Sequence, residues 1–227
     1  MRMDFMERVT GMFTKPEETI KDILSEPRME EALLIVGVYG ILAVISSSIS
    51  SLHNGNGISI ISAVITLVIT LIGWAIATGV VHAIALLLGG QGKYNPQMLT
   101  SIGYTYVVKY IPLIIGIILI LLMPVVKVPS QPAITSGMTT DQIKTALQPY
   151  ISMMEQMYFN PFFILSMVIS YLGLIWSCLL GTMAVKNGEK VSRTTSYIAV
   201  FVPMVVYIVV YTLLIYGSYL VIKMAYG

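Results

Sequence analysis

After Glu31 the chain runs to its last residue with only eleven charged side chains; the other thirteen of its 24 precede Ala32. A water-soluble globule needs polar side chains to cover its surface, and this stretch does not contain enough of them. Over the whole 227 residues 56% are apolar and 11% charged, against roughly 25% charged in an ordinary soluble domain. The chain therefore reads as a polytopic membrane protein. Hydrocarbon about 30 Å thick requires about 20 apolar residues as helix. Five segments approach or exceed that length, at about 32–52, 58–88, 110–126, 161–185 and 196–224. Helix is the expected form of each, since lone strands would leave backbone groups unpaired in lipid and no barrel-type alternation is present. The fold expected is all-α, with five transmembrane helices plus short interfacial amphipathic helices.

The organisation follows from the breakers. Residues 1–31 form a charged N-terminal segment, 32–227 the five-helix domain, and 127–160 a long loop between the third and fourth spans. Residues 58–88 would run roughly 46 Å as helix, so this segment tilts, protrudes or breaks, with Gly79 the sterically cheapest break. Gly89-Gly90-Gln91-Gly92-Lys93-Tyr94-Asn95-Pro96 reads as a turn, after which Asn95 caps a short helix from Pro96 to about Val108, expected in the interface. Pro112 predicts a kink or a new helix start. Thr14-Lys15-Pro16-Glu17 has the form of a capping box opening an amphipathic helix, and Thr139 with Gln142 forms a second one. Pro149 is expected to kink the stripe that follows Gln142.

Lys and Arg are unevenly shared between the two sides that five spans would define. Arg2, Arg8, Lys15, Lys21, Arg28, Lys93, Lys109, Lys186, Lys190 and Arg193 fall on the N-terminal side, and Lys127, Lys144 and Lys223 on the other. The positive-inside rule then puts the N-terminus in the cytoplasm and the C-terminus outside.

Small and hydroxylated residues recur on single helix faces. Ser166, Ser170, Gly173, Ser177 and Gly181 fall within an arc of about 80°, and Ser59, Ser62, Thr66, Thr70, Gly73 and Ala77 within a similar one. Such stripes are what helix packing in membranes selects, and the packing seam is the preferred reading; a polar lining for a small transporter or channel is the alternative. The fifth segment has no stripe and is expected outside the bundle or in a contact between copies.

Intramembrane ionisable residues are the usual pointers to function, and there are two. His82 has no His, Cys or carboxylate within a turn, so a structural hydrogen bond or an interfacial position is expected of it rather than a metal or haem site. Lys109, expected at the cytoplasmic end of the third span, has an alkyl stem long enough to reach the headgroups. The acids after Glu31 are Asp141, Glu155 and Glu189, all outside the five segments, so no proton relay is visible. No nucleophile elbow, zinc motif or phosphate loop is present, and no enzyme, cofactor or metal is expected. One cysteine precludes an intramolecular disulfide, and a net charge of +2 without a basic aromatic run gives no nucleic-acid signal.

The stretch Met12-Phe13-Thr14-Lys15-Pro16-Glu17-Glu18-Thr19-Ile20, with Ile23 and Glu26-Pro27, resembles the pre-membrane signature of the YIP (Ypt/Rab-interacting protein, YIPF-type) integral membrane family. Leu88-Gly89-Gly90, Ile102-Gly103-Tyr104 and Pro112 are similar to that family's central stretch. The resemblance implies a non-enzymatic five-span protein and makes Gly103, Tyr104 and Pro112 candidate functional positions beside His82 and Lys109. Eukaryotic members act in vesicle trafficking and associate with Rab GTPases. The short N-terminal arm lacks their Asp-Leu-Tyr-Gly-Pro motif, and the loop before Pro161 is longer, so the chain resembles a prokaryotic branch. The implied role is membrane organisation or a partner-binding scaffold. Its expected contacts are membrane lipids and a protein partner, the latter through the N-terminal helix or residues 186–193.

Overall fold

The computed structural model describes residues 2–53, 57–125 and 137–226, and among them there are helices and no strand. Residues 127–136 of the expected outer loop, Lys127 included, and residues 54–56 of the first connection lie outside the described residues. Five helical stretches are long and apolar enough to cross a membrane: Met29–His53, Ile60–Leu87, Tyr94–Leu122, Pro161–Gly188 and Arg193–Ala225. The chain is an all-α, multi-pass membrane protein.

Two short helices precede the spans, α1 (Phe5–Thr14) and α2 (Pro16–Ser25). The capping box expected at Thr14 does not form: Lys15 is the N-cap of α2, and the Thr14 hydroxyl donates to Thr10 O at 3.1 Å because α1 runs through it. A box forms instead at Asp4, whose carboxylate accepts from Glu7 N while Glu7 accepts from Asp4 N, both at 2.8 Å. The first two spans are α3 (Met29–His53) and α4 (Ile60–Leu87), the latter unbroken through Gly79. Gly89, at φ +94, ends α4 in a conformation other residues rarely adopt, and Gly90 N–H returns to Ala85 O at 2.8 Å.

The third span departs from expectation. The short helix expected in the interface is α5 (Leu99–Tyr104), and Leu99, Thr100, Ser101, Gly103 and Tyr104 are all buried. A tight turn over Thr105–Lys109 joins it to α6 (Tyr110–Leu122), which carries Pro112 in its first turn. The Ser101 and Thr105 hydroxyls meet the cost of burial by donating to carbonyls three residues back, at 3.2 and 2.8 Å, whereas the buried Thr100 hydroxyl has no partner among the described residues. The span thus begins at Tyr94 rather than Tyr110.

Beyond the loop, α7 (Thr140–Tyr158) begins with the expected Thr139–Gln142 box and continues through Pro149. It leads into α8 (Pro161–Gly188), capped by Asn160 accepting from Phe162 N at 2.9 Å, and then α9 (Arg193–Tyr226). Within the bundle α6 lies on α8 and α3, α3 on α4, and α8 on α9, while α7 rests on α9.

Burial is concentrated at one end. Met12, Ile20 and Ile23 from α1 and α2 pack with Ile35, Tyr104, Val108, Leu180 and Ala184. Ala32, Val36, Trp74 and Leu99 form a neighbouring cluster, as do Ala85, Met98, Val185, Ala199 and Val200. We call this the N-terminal end. Elsewhere the long helices turn Leu, Ile and Val outward, which in lipid costs nothing.

Candidate functional site

The N-terminal end carries two buried polar networks, one on each side of α5. The first is centred on Arg8. A guanidinium is among the costliest groups to bury unless every charge and donor is matched, yet Arg8 is 0% exposed. Its Nε donates to Asp22 Oδ2 at 2.8 Å, Nη1 to Glu31 Oε2 at 3.1 Å, and Nη2 to the Glu26 carbonyl at 3.1 Å. Burial pulls its pKa down, but the hydrogen bonds to Asp22, Tyr104 and Glu31 outweigh that, so the net shift is upward and the group stays charged. Glu31 also receives Arg28 Nη1 at 2.9 Å and the Tyr104 hydroxyl. The result ties α1, α2, the start of α3 and the end of α5 to one another.

The second network gives His82 a hydrogen-bonded carboxylate partner that is distant from it in the sequence. Glu189, in the connection between α8 and α9, is 0% exposed. It is hydrogen-bonded with His82 Nδ1 and accepts Gly92 N–H at 2.8 Å; its carbonyl accepts Gln91 N–H at 2.9 Å. The Gly89–Lys93 turn is therefore clamped onto the α8–α9 connection. Gly92 makes this possible: a Cβ there would lie 2.6 Å from Glu189 Oε2 and 2.7 Å from the Gly188 carbonyl. Tyr94 closes the side, its ring against His82 and its hydroxyl donating to Ala75 O at 2.8 Å.

The other expected residues fall as follows. Lys109, where the Thr105–Lys109 turn meets α6, is not at the end of the third span but well inside it, its Nζ 3.8 Å above the Tyr106 ring and in no ion pair among the described residues. Tyr39 stands edge-on to Tyr106. Gly103 lets α5 approach α3 and α4, since a Cβ would come 2.7 Å from Ala32 Cβ and 3.4 Å from Trp74. Pro112 sits directly on Gly173, and the Ser177 hydroxyl donates to Thr105 Oγ1 at 2.9 Å, so these positions join α8 to the third span. Gly181 faces Val200 and Ile102 at ordinary contact distance, while Ser166 donates to its own helix at 3.0 Å. Ser170 is exposed.

On α4 the buried face is Trp74, Thr78 and Ala85, displaced from the expected stripe. Ser59 and Ser62 are exposed, and Gly73 has nothing within 4 Å of where a Cβ would stand. Thr66 and Thr70 donate to carbonyls four residues back at 2.8 Å, and Thr70 borders the close approach of Gly40 to α4.

Arg8, Asp22 and Glu31 were hidden because they lie in a segment dense in charge. Glu189 was hidden because Lys186, Lys190 and Arg193 flank it and suggest a solvated loop. The signal that points to Glu189 is three glycines in four residues, Gly89, Gly90 and Gly92, more than a turn alone requires. Among the described residues no group of three His, Cys, Asp or Glu is placed to hold a metal ion.

Asp22, Glu31, His82, Gly92, Tyr104 and Glu189 fall within the span matched by one family model, that of the Yip1 domain, over residues 10–215, and Arg8 lies just before it. The chain belongs to the Yip1 domain family. No curated protein and no solved structure matches it. Within this Yip1-domain protein Leu88-Gly89-Gly90, Gly103-Tyr104 and Pro112 are joints of the fold. They end α4, seat α5 between α3 and α4, bond Glu31, and fit Pro112 against Gly173.

Proposed function

We propose that this protein is a non-catalytic membrane scaffold whose N-terminal end faces the cytoplasm and presents a rigid platform to a protein partner. The observation that carries the reading is Arg8. Its full burial against Asp22 and Glu31 fixes α1 and α2 on the bundle instead of leaving them a free arm. A pre-ordered surface loses less conformational entropy when a partner docks. The apolar faces of α1 and α2 are spent on the core, so the partner surface is the outward one, with Glu17, Glu18 and Lys21 exposed beside Lys186.

Orientation is inferred from charge. Arg2, Arg8, Lys15, Lys21, Arg28, Lys93, Lys186, Lys190 and Arg193 belong to the N-terminal end, with Lys144 and Lys223 toward the other, the bias expected of a cytoplasmic face. The buried ionisable groups support a structural rather than a chemical role, since Arg8 and Glu189 each bind two or more chain segments together. A permeation path lined by the hydroxyl stripes finds less support, because Thr66 and Thr70 spend their hydrogens on their own helix.

Removing residues 1–25 would uncover Tyr104, Leu180 and Ala184, so the test leaves the helices in place. A photo-crosslinking residue at Glu18 should give a discrete protein adduct in native membranes, and one at Ile69, on the exposed face of α4, should give none. Equal labelling at both positions, or none at Glu18, would count against a partner platform.

A further inference from the structure

Two recesses on different parts of the surface meet at Tyr197. One is a pocket of about 200 Å³ at the N-terminal end, between α2, the end of α8 and the start of α9. Its charged walls are Lys186, Arg193 and Glu17, with Asn187 between them. Glu17 is held by Lys21 at 3.1 Å and also lies within electrostatic reach of Lys186, while Lys186 and Arg193 form no direct ion pair among the described residues. Arg193 stands 5.7 Å from the Tyr197 ring. The Ser196 and Thr182 hydroxyls in the same wall donate to backbone carbonyls, both at 2.7 Å, as does one Asn187 N–H. The donors left for a ligand are the two cations and the second Asn187 N–H. That set fits a phosphate.

The other is a shallow, open strip on the surface of α9 alone, a groove only in the sense of the spaces between its own side chains, descending from Tyr197 through Phe201 and Val202 to Val206. Below Tyr197 every residue lining it is apolar, and its length along the helix is roughly 14 Å at 1.5 Å per residue. Tyr197 borders both recesses, and its ring stacks on that of Phe201 in the groove, with centroids 5.5 Å apart. The pocket lies where α8 ends and α9 begins, which is headgroup level, where an amphipathic tyrosine ring is favoured.

A free anion would use only the pocket, and an acyl chain of any lipid only the groove. We infer that the two together form a site for one anionic phospholipid, its phosphate between Lys186 and Arg193 and an acyl chain along Tyr197–Val206. This assignment needs no protein partner, although it shares Glu17 and Lys186 with the partner surface proposed above; lipid retention by the purified chain tests it apart from that reading.

The test is native mass spectrometry of the full chain in detergent, offered phosphatidylglycerol, phosphatidylcholine or inorganic phosphate. Wild type should retain phosphatidylglycerol in preference to phosphatidylcholine. The double variant Lys186→Gln/Arg193→Gln should weaken that retention by about 30-fold, the effect of removing two cations at a lipid surface. Lys190→Gln removes a charge from the same loop but does not line the pocket, and should leave retention unchanged. Val202→Trp, which fills the groove, should lower phosphatidylglycerol retention with both cations intact. Three results would each overturn the assignment: equal loss in Lys190→Gln and the double variant, which means diffuse attraction to a basic loop; displacement of phosphatidylglycerol by inorganic phosphate at matched concentration, which means a free-anion site; or no effect of Val202→Trp, which leaves the chain unplaced.

Discussion

The two ends of this protein carry the same chemical group built in opposite surroundings. At the N-terminal end Arg8 and the Tyr104 hydroxyl converge on Glu31. At the other, Lys223 Nζ meets Glu155 Oε1 at 2.6 Å and the Tyr219 hydroxyl donates to that oxygen at 2.9 Å. Arg8 is wholly buried, whereas the Lys223 and Glu155 side chains are 49% and 40% exposed. Water and salt screen the second group, so its attraction is small and partly offset by the entropy of holding two long side chains. The first has no such relief. Burial has already taken its charges out of water, and only their mutual contacts compensate. Cation, carboxylate and tyrosine alone therefore say little about strength; what covers them decides it.

The sharpest break of this comparison is Arg8→Met. Among the described residues it removes the one cation bonded to both Asp22 and Glu31; Glu31 keeps Arg28 and the Tyr104 hydroxyl, so the loss should fall at the lower end of the about 3–5 kcal/mol that breaking a buried pair typically costs. Thermal unfolding of the purified protein should show that loss, with α1 and α2 becoming susceptible to protease while the spans stay helical. A loss below about 1 kcal/mol would place Arg8 in the same class as a surface pair.

A smaller effect is expected where geometry rather than charge is altered. Gly92→Ala places a methyl 2.6 Å from Glu189 Oε2 and 2.7 Å from the Gly188 carbonyl, so the clamp between the two connections must shift, at about 1–3 kcal/mol. Gly73→Ala meets open space and should be neutral, or stabilising by up to about 1 kcal/mol through helix propensity. If both substitutions cost stability, Gly73 would belong to a packed seam; if neither did, the Gly92 contact would not be a constraint.

These contrasts mark how far the sequence could be read. The five spans were legible because lipid leaves the backbone few options and length alone identifies the apolar runs. The Thr139–Gln142 box was legible because both partners are local. Thr14 misled because the same signature fits there, but α1 continues through it and takes its hydroxyl for Thr10 O. The start of the third span was obscured by two plausible boundaries, the Gly89–Pro96 turn and Pro112; the small residues Thr100, Ser101 and Gly103 suit burial as well as an interface. The His82–Glu189 contact has no periodic signature, since it joins residues 107 apart in the chain. Contacts between distant loops are products of packing, and a one-dimensional pattern carries them only where it leaves an unexplained residue such as Gly92.

The smallest effect belongs to the exposed group at the far end. The hydrogen bonds from Lys223 and then Tyr219 hold the Glu155 carboxyl below its ordinary range. A carboxyl whose pKa is depressed in the folded state adds stability above its unfolded pKa and loses it as pH falls through the folded value. The attachment of α7 to α9 should accordingly be unchanged from neutral pH down to the ordinary carboxylate range, then weaken below it. Hydrogen exchange along Thr140–Tyr158 reads this once each rate is referred to the intrinsic rate at the same pH, with protection in acid falling over α7 while α8 and α9 are unaffected. Glu155→Gln should reproduce the acid behaviour at neutral pH, because it removes the charge and keeps the shape. Added salt should narrow the difference between the two proteins, whereas the Arg8→Met defect, shielded from solvent ions, should persist at the same salt. If salt erased both defects equally, burial would not be what separates the two ends.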